Sequence, residues 1–330
     1  MRRTLVCAAV LLAAVACRSS TLPQAMSDGE FRALVETLSE PDGTFALSDN
    51  FVSNEPRVAE NARWIPPRGG VYVGVGPEQN FTYIAKLRPA TAFVVDIRRD
   101  NRNLHFLYKA LFEVASDRAD FVSRLFSRLP PGGLGPSSSA DQIFERYATA
   151  PASPVMRDAT AALVRDRLVR GHGLPLTDAD LASIDRALNE FYTHGPDIQF
   201  WASSAIKTDA PGPSYRELMT ARDLTGQARS FLADEASFGF VKRLQSRNLI
   251  VPVVGDFAGP KALRGVGAYV RQHRDVIRAF YGSNVGVYLT TKQMRVFCAS
   301  LATLPVSPDA WFVESNAMRP FRARLAACGK

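Results

Sequence analysis

The chain contains few residues of the kinds that bind metals or form disulfide frameworks. Among its 330 residues it has only four cysteines and four histidines. No Cys-x-x-Cys pair occurs, and the histidines lie far apart in the sequence without forming a local ligand motif. This scarcity argues against a zinc site and against a small scaffold held together by disulfides. We therefore predict no metal cofactor.

Motifs for binding nucleic acid or nucleoside triphosphates are also absent. The chain has a net charge of +8 but no run of five or more Lys and Arg residues, so we do not expect nucleic acid as a partner. No G-x-x-x-x-G-K-[ST] loop occurs, which argues against a P-loop enzyme. What is present is a 46% hydrophobic composition without repeats, typical of a globular protein of one large domain or two ordinary ones.

The N-terminus resembles a bacterial export signal. A pair of arginines precedes an apolar stretch, residues 5–16, that is too short to span a bilayer. Small residues directly before Cys17 resemble a lipobox, although Ala14 stands where leucine is more usual. We predict a signal peptide over residues 1–16 and lipidation of Cys17. The protein would then be anchored in the membrane on the periplasmic side of the cell envelope. Plain secretion with the same cleavage and a retained N-terminus are the alternatives.

Two regions follow the predicted signal peptide. Residues 17–67 are expected to form a tether and a segment that wraps the domain, with a helix from Asp28 to Leu38 and irregular structure after it. From residue 68 to 330, strands and helices alternate, which is typical of a mostly parallel sheet. The predicted strands of this domain are residues 71–74, 92–97, 249–254, 276–281 and 310–313.

The second and third predicted strands are separated by roughly 150 residues, which is too long for one crossover connection. Helical patterns fill this stretch, most clearly over Asp178–Tyr192, where Thr177 and Asp180 form a capping box. They predict a helical insertion over about residues 130–248 that covers the carboxyl edge of the sheet. The predicted fold is therefore α/β, a Rossmann-like mostly parallel sheet with a large helical insertion between strands two and three.

The carboxyl ends of the predicted strands contain residues suited to a small ligand, and ligands of open parallel sheets bind at that edge. Glycine allows close approach of the backbone to a ligand. Asp96 can accept both hydroxyls of a ribose, and Asp256 can accept the amino group of an adenine. The candidate ligand contacts are Gly74, Gly76, Glu78, Asp96, Gly255, Asp256, Ser283 and Asn284.

These candidate contacts also have structural interpretations. The two glycines after the first strand suit a tight turn between strand and helix whether or not a ligand is present. Asp96 could form an ion pair with Arg98 or Arg99, and Asp256 could cap a turn. The sequence leaves these alternatives open.

The turn after the first strand discriminates among ligands. A G-x-G-x-x-G fingerprint beginning at Gly74 requires glycine at position 79, where the chain has Gln79. Glu78 would place a carboxylate at the start of the following helix, where it would repel a pyrophosphate. S-adenosylmethionine (SAM) has no phosphate and carries a sulfonium and an ammonium group. Charge therefore favours SAM over NAD as the cofactor.

Three segments resemble motifs of class I SAM-dependent methyltransferases. VYVGVGPEQNF resembles the first motif, AFVVD the ribose-binding acid and VVGDF the adenine-side motif. The chain is more similar still, over about residues 30–320, to a poorly characterised bacterial family of methyltransferase-like proteins, through GVGPEQNF, VVDIRRDN, GDFAGPKAL and YGSNV. The resemblance implies that Gly74 and Gly76 form the SAM loop, that Asp96 holds the ribose and that Asp256 lies near the adenine.

The chain also departs from the methyltransferase pattern. Tyr72 and Val73 stand where an acid usually precedes the glycines, and Ser283-Asn284 is only a loose analogue of the Asn-Pro-Pro-Tyr motif. No catalytic base can be assigned, and SAM is a cytoplasmic metabolite whereas the N-terminus indicates export. Two functions therefore stay open: a SAM-dependent methyltransferase, and a non-catalytic envelope lipoprotein that binds a small ligand or a protein. A nicotinamide-dependent oxidoreductase is disfavoured by Gln79 and Glu78.

Two thiols are left if Cys17 is acylated and the signal peptide is removed. In an oxidising compartment Cys298 and Cys328 could pair and tether the C-terminal tail. The alternative is two unpaired cysteines, with Cys298 buried in a helix.

Overall fold

The computed structural model describes residues 20–45, 50–200 and 212–329. The predicted signal peptide and Cys17 lie outside the described residues, so lipidation stays a prediction. Within the described ranges, no helix combines the length and the apolar character needed to cross a membrane.

Six strands form one sheet in the described part of the chain. They are β1 (Val71–Gly74), β2 (Thr91–Asp96), β3 (Ile250–Val254), β4 (Ile277–Tyr281), β5 (Val306–Val313) and β6 (Met318–Pro320). Their spatial order is β3-β2-β1-β4-β5-β6. The first five strands pair in parallel, and β6 runs antiparallel to β5 at the edge. The predicted α/β class and mostly parallel sheet are confirmed.

Thirteen α-helices are described. They are α1 (Asp28–Leu38), α2 (Val58–Arg63), α3 (Gln79–Leu87), α4 (Arg99–Val114), α5 (Arg118–Phe126), α6 (Ala140–Thr149), α7 (Pro154–Asp166), α8 (Asp178–His194), α9 (Tyr215–Thr220), α10 (Glu235–Ser246), α11 (Ala262–Gln272), α12 (Thr291–Ala302) and α13 (Phe321–Ala327). Helices α4 to α10 lie between β2 and β3 in the chain.

Local capping signals explain where several helices begin. The Thr177 side chain accepts the Asp180 N–H at 3.2 Å, which confirms the capping box predicted for α8. At α1 the cap is Ser27, which forms a reciprocal capping box with Glu30. After β2 the chain forms two helices, α4 and α5, because Asp117 leaves the helical conformation and caps α5.

The strands β1, β2 and β3 are buried along their whole length. On one side of the sheet, Phe81 of α3 is the centre of an aromatic cluster. Its ring lies 5.2 Å from that of Tyr108, 5.1 Å from Phe112 and 5.4 Å from Phe231, in edge-to-face arrangements that aromatic pairs prefer. This cluster joins α3, α4 and the segment before α10 into one core, which fixes the helix that follows the first turn.

A buried charge network, here called the Glu113 cluster, joins α4 to α1 and to the π-helical turn at Arg167–Gly171. The Glu113 carboxylate accepts hydrogen bonds from Lys109 Nζ at 2.8 Å, Arg167 Nε at 2.6 Å and His172 Nε2 at 2.8 Å. His172 Nδ1 lies 2.6 Å from Asp28 Oδ1, at the start of α1. Each acid in this cluster therefore has a basic partner.

The segment after α1 runs along the carboxyl ends of β2 and β3. Glu40 N donates to Val254 O at 2.8 Å, and Gly43 N donates to Ile97 O at 3.0 Å. Further along, α2 forms within residues 39–67, where the sequence predicted only irregular structure. The N-terminal segment thus adds a wall to the edge where the sequence predicts a ligand.

The C-terminal part contains elements that the sequence did not predict. The strand β6 and the helix α13 follow β5, and α13 packs against β5. Cys298 of α12 is joined to Cys328 by a disulfide, which confirms the pairing interpretation. The tail is thereby tethered to the helix next to the sheet.

Candidate functional site

A cleft of about 210 Å³ lies beyond the carboxyl ends of β1 to β4. The strand order reverses between β1 and β4, and such a reversal is where ligands bind in open α/β sheets. Six of the eight predicted ligand contacts line this one cleft. They are Gly76, Asp96, Gly255, Asp256, Ser283 and Asn284. Residues from four separate strand ends are therefore brought together as the sequence predicts.

The turn after β1 is held from inside the domain. Gly76 has φ +79°, a left-handed conformation that favours glycine. The Asn80 side-chain amide donates to the carbonyl oxygens of Val75 at 3.0 Å, Gly76 at 3.0 Å and Pro77 at 2.8 Å. His105 Nε2 donates to Gly76 O at 2.9 Å, and burial lowers the pKa of His105 to about 4, so its ring is neutral. The turn is therefore preorganised by its own protein contacts.

Gly74 does not line the cleft. A Cβ atom at this position would collide with Asn80 Oδ1 and would lie 2.6 Å from the hydroxyl of Tyr72. That hydroxyl donates to Asn80 Oδ1 at 2.8 Å. Gly74 thus makes room for a buried hydrogen bond behind the turn, which is the structural rather than the ligand-binding interpretation.

Glu78 does not line the cleft either. The sequence suggested that its carboxylate faces a ligand at the start of α3, but the side chain is buried inside the protein. It is 0% exposed, and its two carboxylate oxygens accept the Ser53 N–H at 3.1 and 3.2 Å. Burial raises the pKa of Glu78 to about 8, with a smaller contribution from Glu55, so the group is mostly protonated at pH 7. Glu78 therefore fixes the N-terminal segment and presents no negative charge to a ligand, and the charge argument against pyrophosphate cannot rest on it.

Asp96 lies in the cleft wall but is already paired. Arg98 Nε donates to Asp96 Oδ1 at 3.0 Å, and Arg98 Nη2 donates to Oδ2 at 2.9 Å. The Arg98 backbone N–H also donates to Oδ1 at 3.0 Å. The ion pair considered from the sequence is thus present. Because a carboxylate has about four acceptor sites, one site on Oδ2 is left for a ligand, and the ribose role of Asp96 stays a prediction.

The loop after β3 is held by two carboxylates of the chain, those of Asp256 and Glu40. Asp256 Oδ1 accepts the Ala258 N–H at 2.8 Å, so Asp256 caps the turn as the structural alternative expects. The Glu40 carboxylate accepts three backbone N–H groups, one from Asp256 after β3 at 3.1 Å and two at the start of α11, from Lys261 at 2.8 Å and Ala262 at 2.7 Å. The chain itself thus supplies the negative charge that a helix N-terminus favours.

Three residues of the β4 side of the cleft were not identified from the sequence as ligand contacts. They are Glu55, Gln79 and Tyr281. Glu55 Oε1 accepts the Ser315 hydroxyl at 2.7 Å and also the hydroxyl of Ser283, while Gln79 Nε2 donates to the Tyr281 hydroxyl at 2.8 Å. No local sequence pattern connects Glu55 to β4, because the two are more than 200 positions apart.

Aromatic side chains supply flat apolar surfaces to the cleft. Phe45 from the N-terminal segment meets Tyr288 edge to face, with ring centroids 4.8 Å apart. Phe257, after β3, stacks on Phe297 of α12 at 5.1 Å. Small-molecule sites are usually lined in this way, with a few polar groups among apolar and aromatic side chains.

Metal binding finds no support in the described ranges, where no group of three or more His, Cys, Asp and Glu side chains could hold an ion. The cleft offers hydrogen-bonding and aromatic groups, and the charged residues in the described part of its lining are Glu55, Asp96, Asp256 and Arg98.

The fold is that of an α/β protein with a cleft at the carboxyl edge of a mostly parallel sheet. The family model for a domain of unknown function, DUF7790, matches residues 50–128 and 203–323, which is more than half of the chain, so the chain belongs to this family. The unmatched stretch between these ranges contains α6, α7 and α8. No curated protein matches the chain.

Proposed function

We propose that this chain is an exported lipoprotein with a Rossmann-like, methyltransferase-like fold whose cleft binds SAM or a related nucleoside. The observation that supports this most is the convergence of six predicted contacts from four strand ends on one cleft. The order 3-2-1-4-5-6 of the sheet is that of the doubly wound nucleotide-binding sheets, although β6 is antiparallel here. The helices α6 to α8, outside the family match, are consistent with a helical insertion.

The charge of the cleft supports a cationic ligand. Among the described lining residues there are three acids, Glu55, Asp96 and Asp256, and one arginine, Arg98, whose guanidinium is bound to Asp96. A pyrophosphate would meet this surplus of carboxylates, whereas a sulfonium or ammonium group would be attracted by it. The proposed preference for SAM over NAD therefore rests on these groups and no longer on Glu78.

Calorimetric titration of the mature chain with SAM, its demethylated product and NAD tests the proposal. We expect micromolar binding of the first two and none of NAD. Asp96→Ala should weaken nucleoside binding at least tenfold, which corresponds to about 1.4 kcal/mol. The exposed Asp158→Ala on α7 is the matched control and should bind as the wild type does. If none of the three compounds produces heat, the nucleoside assignment is overturned.

The second candidate is a ligand-binding envelope protein without methyl transfer. It is favoured by the Asp96–Arg98 pair, since the acid that would hold a ribose is already neutralised by the chain. Bound SAM that is not converted to its demethylated product in the presence of envelope fractions would support this candidate. Product formation that depends on Asp96 would instead support the methyltransferase.

The proposed anchor is tested separately from the site. Mass spectrometry of the mature N-terminus should find a diacylglyceryl-modified Cys17. An unmodified Met1 on the mature protein would overturn the export proposal and would leave the chain in the compartment where SAM is made.

A further inference from the structure

Two buried hydrogen-bond acceptors on the β4 side of the cleft have no partner among the described residues. They are Glu55 Oε2 and Gln79 Oε1. Both residues line the cleft, and each is only 3% exposed. Buried polar atoms in folded proteins are nearly always hydrogen-bonded, so two unpaired acceptors in one wall indicate that a ligand supplies the donors.

The positions of these acceptors are fixed by the bonds that their side chains already make. Glu55 is held by the hydroxyls of Ser283 and Ser315 on its other oxygen. The Gln79 amide nitrogen faces the Tyr281 hydroxyl at 2.8 Å and the carbonyl oxygen of Val75 at 3.4 Å. Reversing the amide would place two oxygens against each other at Val75, so Oε1 is the atom that stays unpaired.

The charge of this wall is also uncompensated. Among the described residues no Lys, Arg or His forms an ion pair with Glu55. Glu78 is mostly protonated at pH 7 because burial raises its pKa to about 8, so it adds no second negative charge next to Glu55. A buried carboxylate without a cation is costly, and a water molecule would satisfy its hydrogen bond but not its charge.

We propose that Glu55 and Gln79 form a subsite for a protonated primary amine of the ligand. An ammonium group has three N–H donors and no acceptor, so it can serve both oxygens while its charge compensates Glu55. The inference deepens the proposed nucleoside function, because it requires that the nucleoside carry an amino-acid or aminoalkyl arm. It also predicts that nucleosides without such an arm bind poorly.

The first experiment compares two nucleosides that differ in the amine. The demethylated product of SAM carries an α-ammonium group, and 5′-methylthioadenosine lacks the whole amino-acid end. We expect the wild type to bind the former at least tenfold more tightly, and Glu55→Gln to remove most of that difference. Equal affinities for the wild type would overturn the amine subsite while leaving the nucleoside site intact.

The second experiment does not depend on nucleoside binding. Thermal unfolding is followed in ethylammonium chloride and in tetramethylammonium chloride at equal ionic strength, because both cations carry one charge but only the first can donate hydrogen bonds. We expect ethylammonium, near ten times its dissociation constant, to raise the wild-type Tm by about 2 °C relative to tetramethylammonium. Glu55→Gln should abolish this rise, whereas the exposed Glu145→Gln on α6 should retain it.

The two experiments separate the two proposals. If no nucleoside binds but ethylammonium alone stabilises the wild type, the nucleoside function fails and the amine subsite stands. If the two salts act equally on the wild type, the amine subsite is overturned whatever the nucleosides do. Both comparisons are made first on the wild type, so they do not depend on the folding of a variant.

Discussion

Two of the buried carboxylates in the described part of the chain, Glu113 and Glu78, lie in opposite surroundings. In the Glu113 cluster, burial alone would raise the pKa of Glu113, but hydrogen bonds and charges from His172, Lys109 and Arg167 lower it to about 2. Behind the cleft wall, Glu78 forms no ion pair with any described residue, and burial raises its pKa to about 8. The same residue type is thus strongly ionised in one region and largely neutral in the other.

This difference indicates that the Glu113 cluster contributes to stability, whereas the cleft wall is suited to recognising a ligand. Every charged group of the Glu113 cluster is satisfied by the chain, so the cluster ties α1 to α4 without a ligand. The wall of the cleft keeps Glu55 Oε2 and Gln79 Oε1 unpaired. Ionisable groups with perturbed surroundings concentrate at functional sites, and a region that is polar, buried and incomplete is a stronger candidate than one that is polar, buried and complete.

Breaking the Glu113 cluster should have the largest effect on the free energy of unfolding. Glu113→Gln removes the negative charge that compensates Lys109, and it leaves that ammonium group buried. We expect the free energy of unfolding to fall by about 3–5 kcal/mol, as when one partner of a buried ion pair is removed. Urea denaturation at pH 7 measures it, with Glu145→Gln on the exposed face of α6 as control. A loss below about 1 kcal/mol would show that the cluster contributes no more than a surface ion pair.

The second prediction concerns the pH dependence that Glu78 imposes. Folding raises its pKa from the ordinary 4.5 to about 8, so between these values the folded chain holds a proton that the unfolded chain has released. The stabilisation from Glu78 is complete below pH 4.5 and is lost as the pH rises through 8, at roughly 1.4 kcal/mol per pH unit. Glu78→Gln cannot lose a proton and should lack this decline.

Urea denaturation of the wild type and Glu78→Gln at pH 5, 6.5 and 8 tests this dependence. The variant should become progressively more stable than the wild type as the pH rises. Parallel pH profiles for the two proteins would mean that the Glu78 carboxyl titrates normally in the folded chain.

The smallest effect on stability is expected at the cleft wall, where the buried carboxylate of Glu55 has one unpaired oxygen. Glu55→Gln removes a buried charge that has no cationic partner while retaining the oxygen that the two serines bind. We expect the ligand-free chain to gain about 1 kcal/mol, because a neutral amide is less costly to bury than an unpaired carboxylate. The same denaturation series measures it. Destabilisation of the ligand-free protein would indicate that the chain itself already compensates Glu55.

Local patterns in the sequence account for much of the fold. Strand β1 begins and ends where its apolar run does, and α8 begins at the capping box of Thr177. The short antiparallel β6 has only three residues, which is too few for an alternating pattern to be recognised. Pairing of Cys298 with Cys328 was one of two interpretations, because spacing alone does not determine whether two thiols meet.

The candidate site was only partly predictable, for a physical reason. Residues at strand ends are brought together by the topology of the sheet, so Gly76, Asp96 and Asp256 could be expected to meet. The direction of a side chain depends on what packs against it. Glu78 looks like a charge at the start of a helix, but Ser53 from a distant segment binds its carboxylate inside the protein. Contacts of this long range leave no local sequence signal.

The Glu40 carboxylate at the start of α11 has a consequence for the metabolites that this protein can accept. A phosphate that bound those three backbone N–H groups would have to displace the Glu40 carboxylate. Because Glu40 belongs to the same chain, it competes at a high effective concentration that does not depend on the protein concentration. Glycine at position 259 leaves space for the Glu40 side chain, because any larger residue there would collide with it. We therefore expect phosphorylated metabolites to bind weakly at this edge of the sheet.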